Sequence, residues 1–411
     1  MYNACMPDPT DDHLAAQYEA LPYPWRDPRH ETRHLHVGSP SHLLEIDHWL
    51  FGAARPLRCL FAGGGTGDGA IMLAQQMAWA GRAGHVTWLD RSAAARQIAE
   101  GRAQARGLGN IGFVTGSLLD LPEAAAGPFD YIDCCGVLHH LPDPAAGLRA
   151  LCSALAPGGG MGLMVYAPHG RTGVYMVQDA LACLAPPGEP EVHRIETARR
   201  VLRHLPATAW LSRNPNFTDI TQGGDAGLAD LLLNPRDRAF TVPAFHALIA
   251  GAGLQIACLI EPMRYDPALL LPDARLRARI ATLDPIGRAA LAEALSGNMP
   301  THIAYVRRHG DTLPARDHRD PAAVPVARET GMDVFAGRIR RDGTLPAQFD
   351  ALQLSVPLPS LAAAILRRID GVRTVAQIAE PFPAKTFDQA WHQVFTALNA
   401  MNRLLLRGEP A

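Results

Sequence analysis

The chain has 411 residues, 48% of them hydrophobic and 19% charged, with a formal net charge of -2 at pH 7. That length exceeds what one hydrophobic core usually serves, so one large domain with additions, or two domains, is expected. The composition excludes extensive disorder, and the near-cancelling charges exclude a molecule-wide field that would gather nucleic acid or an anionic membrane.

The opening MYNACMPDPTDDHLAAQYEALPYPW lacks the basic-then-apolar pattern of a secretory signal. No apolar run is long enough to cross a bilayer, so a cytoplasmic protein is expected. Residues 1–54 read as an N-terminal cap, helical in parts, interrupted by the turn-rich PYPWRDP. The seven cysteines are odd in number and sit mostly in apolar segments, which reads as reduced core residues. None has CxxC spacing, so no metal site is expected, and the adjacent Cys134 and Cys135 read as inert packing in a strand.

From about residue 55 to 167, short apolar runs alternate with helical patterns, the signature of βαβ units feeding a parallel sheet. LRCLFA (57–62), HVTWLD (85–90), IGFVTG (111–116), FDYIDCCG (129–136) and GMGLMVYA (160–167) are five strands in this reading. DGAIMLAQQMAWA and the serine-capped SAAARQIAEGRAQARG are the first two helices. About 168–240 the pattern loosens into an Arg-, Pro- and Asn-bearing stretch, read as a lid inserted over the carboxyl edge of the sheet. TVPAFHALIAGAG is then a helix, and LQIACLIE (254–261) and HIAYVRR (302–308) bring the strands to seven. The main domain spans 55–309, the aperiodic, proline-bearing 310–330 is a linker, and 331–411 form a small, mainly helical domain.

Gly63, Gly64, Gly65 and Gly67 follow the first strand and open a helix, where bare backbone can turn tightly and offer N–H groups to a ligand. Asp90 ends the second strand, where a carboxylate can accept both ribose hydroxyls of an adenosine. Residues 65–70 also satisfy the dinucleotide pattern GxGxxG/A, so an NAD-dependent oxidoreductase stays open at this point.

LFAGGGTGDG, FDYIDCCGVLHHLPDP and LRALCSALAPGGGMGLMVY, in that order and spacing, resemble the consecutive motifs of class I S-adenosylmethionine-dependent methyltransferases. The resemblance is strong over about residues 55–167 and weaker to Arg308. It implies a Rossmann-like, mostly parallel α/β sheet with helices on both faces, binding S-adenosyl-L-methionine and releasing S-adenosyl-L-homocysteine. By that likeness Ala62, Gly63, Gly64, Gly65 and Gly67 carry the methionine end, and Asp90, with Arg91 beside it, carries the ribose. Ser117 and Leu118 meet the adenine ring, and Cys135, Gly136 and Val137 lie beside the sulfonium. The chain departs from the family pattern twice. Ser117 replaces the usual adenine aspartate, leaving N6 to Asp120 or water. Phe61 stands where many members have an acid, leaving the amino-group contact to Asp68.

Methyl transfer needs an aligned acceptor and little further chemistry beyond removal of its proton. Candidate catalytic groups are His139, His140, Tyr166, His169 and Tyr175, with Tyr18 and Tyr23 reaching in from a folded-over cap. His139 and His140 also read as a pair shaping a helix start by hydrogen bonding, and His169 as a solvated loop residue. Arg171, Arg213, Asn214, Asn216, Asp219, Arg236 and Asp237 lie in or beside the lid, as an acceptor-carboxylate site or as ion pairs.

LPSLAAAILRRIDGVRTVAQIAE loosely resembles PqqD-like or winged-helix modules that hold peptides beside modifying enzymes. That points to a peptide or protein acceptor, against a small molecule if the unit only extends the core or mediates a homodimer. Interspersed acids set nucleic acid aside. The expected function is methyl transfer to nitrogen or oxygen, with a non-catalytic cofactor-binding module as a further alternative.

Overall fold

A computed structural model describes residues 9–217, 220, 224–314 and 317–410. Cys5 and Asp219 lie outside them. Seven strands form the central sheet: β1 (Leu57–Ala62), β2 (Gly84–Asp90), β3 (Ile111–Thr115), β4 (Phe129–Cys135), β5 (Leu155–Tyr166), β6 (Leu254–Ile260) and β7 (Thr301–Arg308). Their spatial order is β3-β2-β1-β4-β5-β7-β6, and only β7 runs antiparallel to its neighbours. All but Arg58 of β1 is buried, as a strand covered on both faces requires. The order reverses between β1 and β4, which opens a crevice at their carboxyl ends.

The intervening helices start where the sequence supplies a cap. Gly67, at φ +99°, opens α2 (Asp68–Trp79), following α1 (Pro9–Ala20) in the chain. Ser92 Oγ accepts from Ala95 N at 3.0 Å at the head of α3 (Ala93–Ala105). Asp143 caps α4 (Pro144–Ala154), which has proline in its first turn. Alternate strand residues feed two cores. Leu60, Ile132, Leu163 and Val306 lie on one face, with Cys59, Phe61, Trp88, Tyr131 and Tyr305 on the other.

The N-terminal segment is strapped over this crevice. Glu19, near the end of α1, accepts from Ser92 Oγ at 2.7 Å and from Ala94 N at 3.1 Å. Thr66 Oγ1 donates to the Pro24 carbonyl at 2.7 Å, and Glu31 takes Arg102 at 2.5 Å and Arg106 at 2.6 Å.

The stretch read as a loosened lid is largely helical. It contains α5 (Val174–Leu184), α6 (Glu191–His204) and α7 (Gly224–Leu228), the last widening into a turn over Ala229–Leu233. Val177, Leu181, Ile195 and Leu232 give it a core of its own. Then α8 (Val242–Gly251), α9 (Ala274–Ile280) and α10 (Pro285–Ser296) close the main unit.

Part of the expected linker is ordered structure: β8 (Pro325–Ala327) pairs antiparallel with β11 (Leu404–Leu406). The C-terminal unit also has a hairpin of β9 (Thr344–Phe349) and β10 (Leu352–Pro357) beside its helices. These are α11 (Met332–Arg338), α12 (Ala362–Leu366), α13 (Val375–Ala379) and α14 (Ala384–Ala400). Phe387, Trp391, Val394 and Leu398 recur along α14 at helical spacing and pack on Ile365, Leu366 and Leu345. The unit is fastened to the main one through Glu45, His48 and Trp49, which meet Asn402 and Leu406. Among the described residues no helix is long and apolar enough to cross a membrane, and no three His, Cys, Asp or Glu side chains cluster to hold a metal.

Candidate active site

A cavity of about 1310 Å³ lies at the carboxyl ends of β1, β2, β4 and β5, beneath α1 and the strap. Gly63, Gly64, Gly65, Asp68, Asp90, Arg91, Ser117, Leu118, Cys135, Gly136 and Val137 line it. Ala62 and Gly67 do not. Ala62 is a core residue, and Gly67 packs under the loop, where an added Cβ would lie 3.0 Å from Ala99 and Ile71.

The loop glycines answer mainly to the chain itself. Gly63 and Gly65 have φ of +83° and +50°. Added Cβ atoms would come 2.3 Å from Val137 at Gly63, 2.2 Å from Trp88 at Gly64 and 2.8 Å from the Tyr23 carbonyl at Gly65. The expectation of unobstructed loop amides is corrected here. Gly63 N and Gly64 N donate to the Leu89 carbonyl at 2.8 and 3.1 Å, Gly65 N to Asp90 Oδ2 at 2.8 Å, and Gly67 N to the Gly64 carbonyl at 3.0 Å. A pyrophosphate would need such amides as donors, whereas a sulfonium cofactor brings no phosphate.

Asp90 takes one amide on each oxygen, Gly65 N and, at 2.9 Å, Ser92 N. Burial pushes its carboxyl up from the usual range, while those amide bonds work against the shift. Each oxygen retains a lone pair for a vicinal diol. A diol acceptor at β2, a tight uncharged loop and a cavity of this size fit an adenosyl group carrying an amino acid. Ser117 Oγ accepts from Leu119 N at 3.1 Å along the same wall. Asp120 is exposed and does not line this cavity, but it borders an adjoining hollow of about 420 Å³ that shares Arg91, Gly116, Ser117 and Leu119 with it. Asp68 reaches the cavity, but its carboxylate is taken by Arg26 at 2.9 and 2.6 Å and by Arg102 at 2.6 Å. The two guanidiniums hold its pKa down against the opposing effect of burial.

Elsewhere on the lining, Tyr18 Oη donates to Asp230 Oδ1 at 2.6 Å and Tyr166 Oη to Asp230 Oδ2 at 2.9 Å. Burial, and then the Asp230 charge, raise both phenols well above their usual range, so both stay protonated. Tyr18, Tyr23, Tyr166, Asp230, His140 and Arg171 all line the cavity. Arg171 stacks 3.8 Å from the Tyr166 ring and pairs with Asp237 at 2.6 Å.

Three of the proposed catalytic groups are not on this wall. His139 is fully buried behind Tyr166, with ring centroids 3.8 Å apart and neither ring nitrogen hydrogen-bonded. Burial drives its pKa down, so it is a neutral backing ring. His169 is exposed on the turn after β5 and does not line the cavity. Tyr175 sits behind Arg171, accepting from its Nε at 3.1 Å. His140 stays on the wall, held through Nδ1 by the Arg236 carbonyl at 2.6 Å, with Nε2 unbonded. The lid arginines make internal ties instead of a free anion site: Arg171 to Asp237, Arg236 to Asp11 and Arg213 to the Ala207 carbonyl. Asn214 holds the Gly170 and Thr172 carbonyls, and Asn216 reaches the cavity.

Asp133, Asp230 and Glu329 line the cavity without having been singled out from the sequence. The first two carried a signal, an acid inside an apolar run, in FDYIDCC and LADLLL.

Comparisons with known proteins bear on the class of enzyme. A family described as a methyltransferase domain matches residues 60–161. An uncharacterized protein of Synechococcus sp. is 31% identical over 309 residues, 74% of this chain and 72% of that protein. A ubiquinone biosynthesis O-methyltransferase of Marinobacter nauticus is 34% identical over 154 residues, 37% of this chain, which spans 60% of that enzyme's length. PKMT2 from Rickettsia typhi, solved in complex with AdoHcy, superposes over 90% of this chain and 75% of its own with a TM-score of 0.64 at 15% identity, a likeness of fold. Fold and site together define an enzyme that transfers methyl groups from a sulfonium cofactor. The chain belongs to the class I S-adenosylmethionine-dependent methyltransferases. Its cofactor is S-adenosyl-L-methionine, and the nicotinamide alternative falls away.

Proposed function

We propose that this enzyme methylates a nitrogen or oxygen atom of an acceptor seated against Tyr18, Tyr166 and Asp230. The observation that carries the reading is the pair of phenols bonded to opposite oxygens of one buried carboxylate, lining the same cavity as the glycine loop and Asp90.

Asp90 would hold the ribose, Ser117 and Leu118 the adenine, and Gly63, Gly65, Cys135, Gly136 and Val137 the sulfur-bearing chain. The bound cofactor supplies a methyl group on a positively charged sulfur. Tyr166 and Tyr18 align the acceptor through their phenolic oxygens, and the strap keeps water out. Held by those cofactor-binding residues, the cofactor would present its methyl carbon to the acceptor and would keep the carbon–sulfur electron pair. The acceptor proton passes to a phenolic oxygen as that phenol's own proton passes to Asp230.

A peptide or protein acceptor is the form of the proposal we adopt. Glu329, at the root of the C-terminal unit, lines the same cavity, so a chain held by that unit could reach the site. A cytosolic setting belongs to the same reading, supported by unpaired cysteines at all six described positions. Incubation with methyl-labelled cofactor and size-fractionated extract tests it. Label is expected in macromolecules and is expected to be lost with Asp230→Asn. Label confined to small molecules removes the peptide reading, and cofactor binding with no transfer anywhere leaves a non-catalytic binding module.

A further inference from the structure

The wall beside the glycine loop contains a buried carboxyl group with no counter-ion. Asp133 is 7% exposed, lies in β4 and lines the cavity. Its Oδ2 accepts from Ser41 Oγ at 2.5 Å, and no Lys, Arg or His among the described residues pairs with it. An isolated carboxylate is costly to bury and takes up a proton instead, and a cation arriving beside it restores the charged form. The other carboxylates that line the cavity are committed: Asp68 to two arginines, Asp230 to two phenols, Asp90 to two amides, Asp11 to Arg236, Glu19 to Ser92 and Ala94, and Glu329 to Arg328.

The position of Asp133 narrows the choice of cation. It lies in register with Phe61, directly across from it on the adjacent parallel strand, so the two side chains emerge on the same face. Phe61 is the apolar residue that stands just before the loop. Asp90 ends β2 on one flank of β1, and Asp133 lies on β4 on the other flank. A ligand anchored by its ribose at Asp90 and crossing the loop brings its amino-acid end toward β4.

We infer that Asp133, steadied by the Ser41 hydroxyl, is the anionic anchor for the α-ammonium of S-adenosylmethionine. It takes the part that the apolar Phe61 cannot play. The inference rests on that compound being the cofactor. An ammonium carried by the acceptor is the other source of the same chemistry, and the ligands below separate the two.

Burial pushes the Asp133 carboxyl up to about 7, so the anchor is charged only toward the upper part of the working range. The groups around it do not titrate there. Tyr131, Cys134 and Cys135 on its own strand and Tyr305 on β7 are all raised by burial and stay neutral. Asp68 on α2 is held ionised by Arg26 and Arg102. Ser41 does not ionise, and Glu45 behind it is paired with Arg328.

The test is calorimetric titration of the full chain with S-adenosylhomocysteine and with its deamino analogue, which lacks only the α-ammonium. Asp133→Asn is expected to weaken S-adenosylhomocysteine by about tenfold to a hundredfold, the loss of one charge-assisted contact. It should leave the analogue within about twofold. S-adenosylhomocysteine bound equally by wild type and Asp133→Asn, or both ligands weakened alike, overturns the inference and returns the ammonium site to the acceptor. Should Asp133→Asn not fold, wild type decides. Its preference for S-adenosylhomocysteine over the analogue must widen between pH 5.5 and 8, and a flat or absent preference overturns the inference. A wild-type chain that binds neither ligand sinks the cofactor assignment itself, a result distinct from the others.

Discussion

Arg328, just past β8, donates through Nε to the carboxylate of Glu45, 283 residues earlier in the chain, and both side chains are closed off from water. From Glu45 the bonds continue inward. Tyr305 Oη donates to its other oxygen at 2.7 Å and accepts from Ser41 N at 2.9 Å, and Ser41 Oγ donates to Asp133. One buried polar path thus joins the root of the C-terminal unit to the cofactor wall. Arg328→Ala leaves Glu45 buried without its cation, so a loss of about 3–5 kcal/mol is expected. Replacing both partners by apolar residues of similar volume should recover most of it, because neither charge is then stranded. Urea unfolding of the two variants checks this, and equal losses would contradict it.

The carboxyl of Asp133 gives a pH signature to the cofactor-free enzyme. Unfolded, it titrates near ~3.9, and folded it titrates at about 7, because burial penalises the charged form. The folded state therefore holds the proton more tightly. Its stabilising contribution is full below the unfolded value and is lost as pH rises through the folded one, by up to ~1.4 kcal/mol per pH unit. Asp133→Asn should flatten that part of the stability profile and exceed wild type in stability at pH 8. Thermal unfolding from pH 4 to 8 without cofactor is the measurement, and parallel profiles would refute the assignment.

Most of the sheet was legible because each strand between Leu57 and Arg308 is an apolar run bounded by turn or cap residues. β5 starts earlier than its apolar pattern, since Leu155 pairs with Phe129 and the register then shifts across APGG before Gly160 pairs with Tyr131 and Arg307. The site was legible where it depends on backbone and motif, at Gly63, Gly65, Asp90 and Val137. It was not legible where it depends on pairing across long separations. Nothing local in DLLLNP shows that Asp230 meets Tyr18, 212 residues away. Nothing local in YAPHGRTGVY shows that His169 turns outward while Arg171 turns in, since a connecting turn has no period to read. Part of the expected linker is likewise strand, because Pro325–Ala327 finds its partner only at Leu404–Leu406.

Asp90 supplies two acceptor lone pairs fixed in direction by Gly65 N and Ser92 N. Asp90→Ala removes hydrogen bonds to a charged acceptor and should weaken S-adenosylhomocysteine by about ten- to a hundredfold. Asp120→Ala, at an exposed position outside the cavity, should change that affinity by less than about twofold. Paired titrations of the two variants compare them directly, and a larger effect at Asp120 would reverse the assignment of the adenosine wall.

Tyr166→Phe deletes the hydroxyl on Asp230 Oδ2 while leaving the ring that Arg171 and His139 pack against. Loss of a group that carries a proton in the transition state costs about 10²-fold or more in rate. Turnover should therefore fall by that order while S-adenosylhomocysteine binds within about twofold of wild type. His169→Ala should leave turnover unchanged, because that ring is outside the cavity. A drop in cofactor affinity in step with rate would make Tyr166 part of the cofactor wall instead.

Gly65→Ala separates backbone strain from the closure of the strap. At φ +50° a side chain is strained in any surroundings, and here its Cβ would also stand 2.8 Å from the Tyr23 carbonyl. Gly81 has a similar φ of +60° with nothing within 4 Å of the added atom, so Gly81→Ala carries the conformational cost alone. That cost is about 1 kcal/mol. Any excess at Gly65 comes from pushing the strap away, and a total of about 2–4 kcal/mol is expected once strain and overpacking combine. The strap should also loosen, so amides in residues 19–26 should exchange with deuterium faster in Gly65→Ala than in Gly81→Ala. Equal exchange in the two variants would mean that the strap is held by Glu19, Arg26, Glu31 and the Thr66 hydroxyl without help from the Gly65 fit, and that Gly65 is glycine only for its turn.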